Sequence, residues 1–356
     1  MYIIAFLFAF LLFNTIILAH EWGHYITALK FGVRVNEFSL GMGPRIFKVK
    51  KNDTVYSLRL LPIGGFCAME GEEKSSDDKE FSFREKKAWQ KIIIVSAGAV
   101  MNITVGFLLS ILVNSFQHSL FGTKISSFKE GSVSNSNGGL RINDEIITIN
   151  GYKIHIDQDI LVAFALSRSD VFDIEVFRNG EFIKLKNVKF EAQKIGEKVG
   201  ICVDFNLRKE DKNFVNIMNY SAAHVGSTVR TTFRGLVGLI KGEFSIRDMA
   251  GPVGVASCIG QITDERLKED KKNILPAMFS VLSFMMMISV SLGIFNLIPF
   301  PALDGGRIAL MIPELIFNKK VSEKFEGVFN TVGFSLLMIL AFVVTCSDIF
   351  KIVKGV

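Results

Sequence analysis

Residues 1–24 read MYIIAFLFAFLLFNTIILAHEWGH. Met1 to Ala19 holds no Asp, Glu, Lys or Arg, close to the roughly 20 apolar residues that cross a bilayer. A secretory signal peptide would carry a basic n-region and a small-x-small cleavage site. Neither is present, so the run reads as a membrane span. It ends in His20-Glu21-Trp22-Gly23-His24. Two imidazoles and a carboxylate at the end of an otherwise uncharged span are costly unless paired or metal-bound.

Three more uncharged stretches are long enough to span: Ile92 to about Val113, a run inside Asn273 to Leu303, and Gly327 to Ser347. Composition agrees. Of 356 residues, 49% are hydrophobic and only 21% charged, and the mean hydropathy is +0.36. Disorder is excluded, and an ordinary cytosolic enzyme is disfavoured. The 41 basic and 35 acidic residues leave a net charge of +6. There is no Lys/Arg run dense enough for a nucleic-acid surface, so no nucleic-acid partner is expected. Cys67, Cys202, Cys258 and Cys346 form no C-x-x-C pair, which excludes a cysteine zinc cluster and a disulfide scaffold.

Two non-membrane regions separate the spans. Lys30 to Lys91 carries 13 Lys/Arg against 9 Asp/Glu. His118 to Lys272 is long enough to fold, and long translocated domains do not count in the positive-inside rule. The basic first loop therefore goes to the cytoplasm, and Arg307, Lys319, Lys320 and Lys324 after the third span agree. The N-terminus, residues 118–272 and the C-terminus then lie outside. The ends of spans one and three share the cytoplasmic face.

His20 and His24, four apart on a helix, point to one side and can reach one metal ion. Glu21 sits one step round, where it can meet a water at the metal. Catalytic zinc usually takes three protein ligands, so one is missing. His118, His155 and His224 fall on the other side of the membrane. Span three, however, ends in Asn296-Leu297-Ile298-Pro299-Phe300-Pro301-Ala302-Leu303-Asp304-Gly305-Gly306, which makes Asp304 the candidate third ligand. Asn102, inside span two, suits helix–helix contact or a site role equally well.

H-E-x-x-H in the first span, with N-x-x-P-x-P-x-L-D-G closing the third, resembles the site-2 protease family of intramembrane zinc proteases, in its bacterial RseP-type branch. Leu61-Pro62-Ile63-Gly64-Gly65-Phe66 is similar to the family's P-x-G-G-[YF] loop. Ala97-Gly98-Ala99-Val100-Met101-Asn102 is similar to its A-G-P-x-x-N segment, with Ala99 where proline is usual, and Gly251-Pro252-Val253-Gly254 to its G-P-[IV]-G segment. The resemblance implies Zn2+ held by His20, His24 and Asp304, with Glu21 as the catalytic carboxylate. It implies substrate contacts at Asn296 and the broken segment with Pro299 and Pro301; Gly64 and Gly65 join them as expected substrate contacts. It places the chain in a bacterial cytoplasmic (inner) membrane. Its substrates would be single-pass membrane proteins such as anti-sigma factors, or remnant signal peptides.

Proline cannot continue a regular helix, so the backbone at Pro299 and Pro301 is expected to open toward a cavity. Arg45 to Lys50, a turn at Lys51-Asn52-Asp53, and Thr54 to Leu61 read as a hairpin, and Gly41 to Pro44 before it as a turn. Beside the site, this membrane-associated β-hairpin would offer an edge strand to an unwound substrate.

Residues 120–206 alternate in short strand-like runs. Asp144 to Ile149 reads as a strand, Asp157 to Arg168 as a helix, and Asp173 to Val188 as a hairpin closed by Asn179-Gly180. Gly139-Leu140-Arg141-Ile142-Asn143-Asp144 followed by Ile149-Asn150-Gly151 resembles one PDZ domain, a peptide-binding module that works by strand addition. Recruitment and exclusion of substrates both remain open for it. Phe214 to Lys241 reads as an amphipathic helix.

The expected fold is a polytopic α-helical membrane protein with four transmembrane helices, an inserted β-rich PDZ-like domain and a membrane-associated β-hairpin. Residues 1–116 hold two spans, the zinc motif and the hairpin; 120–206 the PDZ-like domain; 207–272 an amphipathic linker; 273–356 two spans and the third ligand. The expected activity is intramembrane zinc endopeptidase. A catalytically silent PDZ-bearing receptor or scaffold is the alternative, although it has no use for Glu21. A metal transporter would need polar groups along several spans.

Overall fold

The computed structural model describes residues 2–72, 78–117, 119–136, 138–167, 169–195, 198–243, 251–269 and 274–354. Met1, His118, Arg168, Lys272 and Asn273, which enter the expectations above, lie outside these. In chain order the first elements are α1 (Tyr2–Lys30), β1 (Val35–Lys51), β2 (Thr54–Met69), α2 (Ala88–Phe116), β3 (Leu120–Phe128), β4 (Glu145–Ile149), β5 (Tyr152–Lys153) and α3 (Asp157–Ala165). They are followed by β6 (Val171–Arg178), β7 (Glu181–Lys189), β8 (Glu191–Ile195), β9 (Lys198–Cys202), β10 (Phe205–Glu210) and α4 (Phe214–Ile240). The chain closes with α5 (Pro252–Glu269), α6 (Leu275–Leu297), α7 (Asp304–Phe317) and α8 (Glu323–Lys354).

Four helices are long and apolar enough to cross a membrane: Ile3–Lys30, Ala88–Phe116, Leu275–Leu297 and Lys324–Lys351. The chain is therefore a membrane protein with a β-rich insertion. It divides into two compact units, Met1–Leu109 with Thr232–Val356, and Ser110–Thr231.

In the first unit, α1, α5 and α6 share a core of Ala9, Ile16, Ile259, Val281 and Met285. Small residues let the backbones close up, as apolar helices in lipid require. A Cβ built at Gly23 of α1 would lie 2.8 Å from the Ala97 carbonyl carbon of α2. One built at Gly293 of α6 would lie 2.8 Å from the Ala99 oxygen. Part of the expected 207–272 linker is instead the regular helix α5, packed on α1 and α6.

Strands β1 and β2 pair antiparallel around a turn at Asn52, whose φ is 53°. The expected turn at Gly41–Pro44 is instead absorbed within β1. Gly41 and Gly43 take φ of 87° and 85° and bend the strand rather than end it. As a result β1 residues 37–40 pair on one edge with β2 residues 55–58 and on the other with 65–68. Two bent strands thus make a sheet several strands wide.

In the second unit the sheet order is β10-β3-β4-β6-β7, with β5 paired to β4. Its core includes Ile125, Leu140, Ile146, Ile160, Phe164, Phe172, Val176 and Phe190. Asn179 and Gly180 turn the β6–β7 hairpin with φ of 52° and 93°, as a two-residue turn of that type demands. Helix α3 stops at Ala165, short of the expected Arg168. Arg178 donates to buried Asp144 at 2.7 Å and to the Gly139 carbonyl at 3.0 Å, tying the Gly139–Asp144 loop to β6.

Candidate metal centre

The last turns of α1 bring His20 and His24 onto one face, with their Nε2 atoms 3.2 Å apart and their rings edge to face. Asp304 Oδ2 lies 3.2 Å from His20 Nε2 and 3.4 Å from His24 Nε2. One donor atom from each residue falls within 4.8 Å of the others.

The backbone after α6 explains how Asp304 arrives there. Pro299 and Pro301 have no N–H to continue the helix, so α6 ends at Leu297. A tight segment follows, with Ala302 held at φ 68°. A non-glycine residue in that region costs about 1–3 kcal/mol and persists only where its surroundings impose it. Helix α7 then begins at Asp304 itself, where a carboxylate suits the positive end of the dipole. Gly305 and Gly306 are pressed onto the carbonyls of Ile298 and Phe300, leaving no room for a Cβ at either position.

Asp304 Oδ2 is buried and has no hydrogen-bond donor, although two imidazole nitrogens converge on it. A buried acceptor without a donor is costly, and a cation among three such atoms removes the cost. Two imidazoles and a carboxylate suit zinc, which binds nitrogen and oxygen in a four-coordinate site and leaves one position open.

Helix α2 forms the wall behind the histidines. His24 Nδ1 meets the Ile94 carbonyl at 2.9 Å. That carbonyl can only accept, so Nδ1 donates and Nε2 keeps its lone pair toward the cluster. Ile94 escaped the sequence reading because a backbone acceptor leaves no side-chain signature.

Glu21 faces the sheet. A Cβ built at Gly65 would lie 3.6 Å from Glu21 Cγ and 2.8 Å from the Ser39 carbonyl oxygen. The Gly64–Gly65 segment, with Gly64 at φ 84°, therefore runs close by Glu21. Nearby, buried Glu37 accepts from Ser57 at 2.6 Å, from Arg59 at 2.7 Å and from Arg45. Desolvation alone would raise its pKa, but the hydrogen bonds from Arg45, Ser57 and Arg59 win and pull it down to about 2. The sheet keeps Met42, Ile46, Phe47, Leu60 and Leu61 more than half exposed. Asn296 lies half-buried in the last turn of α6. The structure brings together the three ligand candidates and Gly65 beside Glu21, whereas Asn296 makes no hydrogen bond to the cluster among the described residues.

A family model described as Peptidase family M50 matches residues 8–340. A Clostridium perfringens protein carrying the name zinc metalloprotease is 35% identical over 351 residues, covering 98% of each chain. The regulator of sigma-W protease RasP of Bacillus subtilis is 26% identical, over 95% of this chain and 96% of its own. The zinc metalloprotease RasP of Bacillus licheniformis is 28% identical, over 95% and 97%.

Proposed function

The chain belongs to peptidase family M50 and is a zinc metalloprotease, and from that premise we propose that it cleaves peptide bonds within the membrane-spanning segments of other proteins, with His20, His24 and Asp304 holding the zinc and Glu21 moving the protons. The observation that carries this reading is the convergence of two imidazoles and an orphaned carboxylate oxygen in the C-terminal half of an apolar helix.

When bound there, zinc supplies Lewis acidity, polarising a carbonyl and bringing the pKa of a water to about 7. Glu21 accepts the proton of the attacking water and returns it to the leaving amine, so its carboxylate ends each cycle unchanged. The segment at Gly64 and Gly65 receives the scissile stretch as an added strand beside Glu21. A helical substrate must unwind before cleavage, and its freed N–H and C=O groups need such partners. Asn296, Pro299 and Pro301 line the open backbone before Asp304 and contact the substrate from the other side. The exposed apolar residues of the β1–β2 sheet, Ile46, Phe47 and Leu60 among them, rest in the bilayer; their exposure supports this.

The charge of the Lys30–Lys91 loop supports a cytoplasmic position for the site in a bacterial inner membrane, with the β-rich unit outside. That unit is a PDZ-like domain, a reading supported by its Gly139–Asp144 loop and Ile149-Asn150-Gly151 turn. The substrates are single-pass membrane proteins, anti-sigma factors among them, or remnant signal peptides; a relative named as a regulator of sigma-W supports a regulatory role. The silent-receptor alternative has no place for Glu21.

The test is cleavage of a single-span model substrate by the purified chain in liposomes. Cleavage should stop on chelation, return with zinc, and be absent in Glu21→Gln. Chelator-resistant cleavage, or full turnover by Glu21→Gln, overturns the reading.

A further inference from the structure

His20 presents Nε2 to the cluster, so its Nδ1 must point elsewhere, and it points at Asn102. The Asn102 amide Nδ2 lies 3.4 Å from His20 Nδ1. Asn102 is 1% exposed and its Oδ1 has no hydrogen-bond partner. In that orientation the amide donates to Nδ1, which puts the imidazole proton on Nε2, the atom that faces Asp304 and His24. A protonated Nε2 cannot bind a metal. The oxygen and nitrogen of a carboxamide are assigned from their partners rather than observed. Half a turn of the amide places Oδ1 against Nδ1, where it accepts the imidazole N–H and leaves Nε2 with a free lone pair.

We infer that Asn102 is a positioning residue for the metal site: its Oδ1 accepts the Nδ1–H of His20 and fixes the tautomer and ring orientation that binds zinc. The inference rests on the metal-site reading above.

Three features of α2 support it. His24 has the equivalent arrangement, with Nδ1 donating to the Ile94 carbonyl at 2.9 Å. Residues 94, 98 and 102 recur at steps of four, so they stack on one face of the helix. Ile94 serves one histidine, Asn102 serves the other, and Gly98 between them leaves the space both rings occupy. The main chain of Asn102 is also tied to α6, where Ser289 Oγ donates to its backbone carbonyl at 2.8 Å. A buried carboxamide aimed at the outer nitrogen of a ligand is the arrangement by which proteins orient metal-binding histidines.

The experiment measures zinc affinity of the intact chain in detergent by competition with a chelator, for wild type, Asn102→Leu, Asn102→Asp and His20→Ala. Asn102→Leu should bind zinc about 10–100-fold more weakly, and Asn102→Asp, which keeps an acceptor, should stay within about threefold of wild type. Wild-type affinity in Asn102→Leu, or equal losses in the Leu and Asp variants, overturns the inference. Should Asn102→Leu fail to fold, nitrogen-15 spectra of histidine-labelled, zinc-loaded wild type decide the matter. A proton on Nδ1 of His20 is expected, and one on Nε2 overturns the inference. His20→Ala separates the two levels. If it keeps full zinc affinity, the site reading fails. If it loses zinc while Asn102→Leu does not, only the role of Asn102 fails.

Discussion

Gly98 of α2 and His24 of α1 occupy adjoining space so closely that a Cβ at Gly98 would overlap His24 Nε2 and lie 2.7 Å from His20 Cε1. Glycine is required there by a neighbour, not by backbone conformation. Gly98→Ala should therefore displace both imidazoles and cost at least about tenfold in zinc affinity, in the range seen when the support of a ligand is lost. Gly260→Ala in α5 meets open space and should leave zinc binding unchanged. Zinc content after dialysis against a weak chelator reads both.

Ligands and proton carrier should separate cleanly. His20→Ala, His24→Ala and Asp304→Asn should each lower the zinc content from about one per chain. Glu21→Gln should keep the metal and lose about 10²–10⁴-fold in turnover, the usual worth of a general base. Metal analysis paired with turnover checks this. Full zinc retention with normal cleavage in Asp304→Asn would remove that residue from the ligand set.

The Arg178–Asp144 pair should dominate local stability in the β-rich unit. Asp144 is fully buried and Arg178 nearly so, so Arg178→Met leaves a buried carboxylate short of its partner and should cost about 3–5 kcal/mol. The double variant with Asp144→Ala removes the stranded charge and should recover part of that loss. Urea unfolding followed through protection of the β6–β7 amides measures it. Equal stability of both single variants and wild type would refute the claim.

The same unit should weaken in mild acid through His224. Burial lowers its pKa from 6.5 to about 4, against a smaller opposite pull from Asp159. Its Nδ1 lies 3.4 Å from Ser110 Oγ, and Tyr220 packs on its ring. Between those two pH values the unfolded chain binds a proton that the folded chain refuses, so stability falls as pH drops from 6.5 toward 4 and is insensitive to this group above 6.5. The full effect is about 3 kcal/mol. Thermal unfolding of wild type and His224→Gln across this window should show the steeper acid loss in wild type. Parallel curves would show that His224 is not responsible.

Much of this molecule could be read from local chemistry. An uncharged run of bilayer length has no stable place in water, so the four spanning helices follow from composition alone. Histidines four apart share a face of any helix, and a proline pair ends one, so His20, His24 and the break before Asp304 needed no coordinates. Asn179-Gly180 announced its hairpin because few residue pairs accept two positive φ angles. The tertiary structure decided what depends on contacts between residues distant in the chain. Gly41 and Gly43 could equally end a strand or bend one, and only pairing of residues 37–40 on both edges shows that they bend it. The linker expected around residues 252–269 acquires its meaning as α5 only by packing on α1 and α6. The wall behind the metal centre was hidden for the same reason. A backbone carbonyl at Ile94, an absent side chain at Gly98 and an amide at Asn102 carry no metal signature in a sequence, and become a supporting surface only when α2 lies against the two histidines.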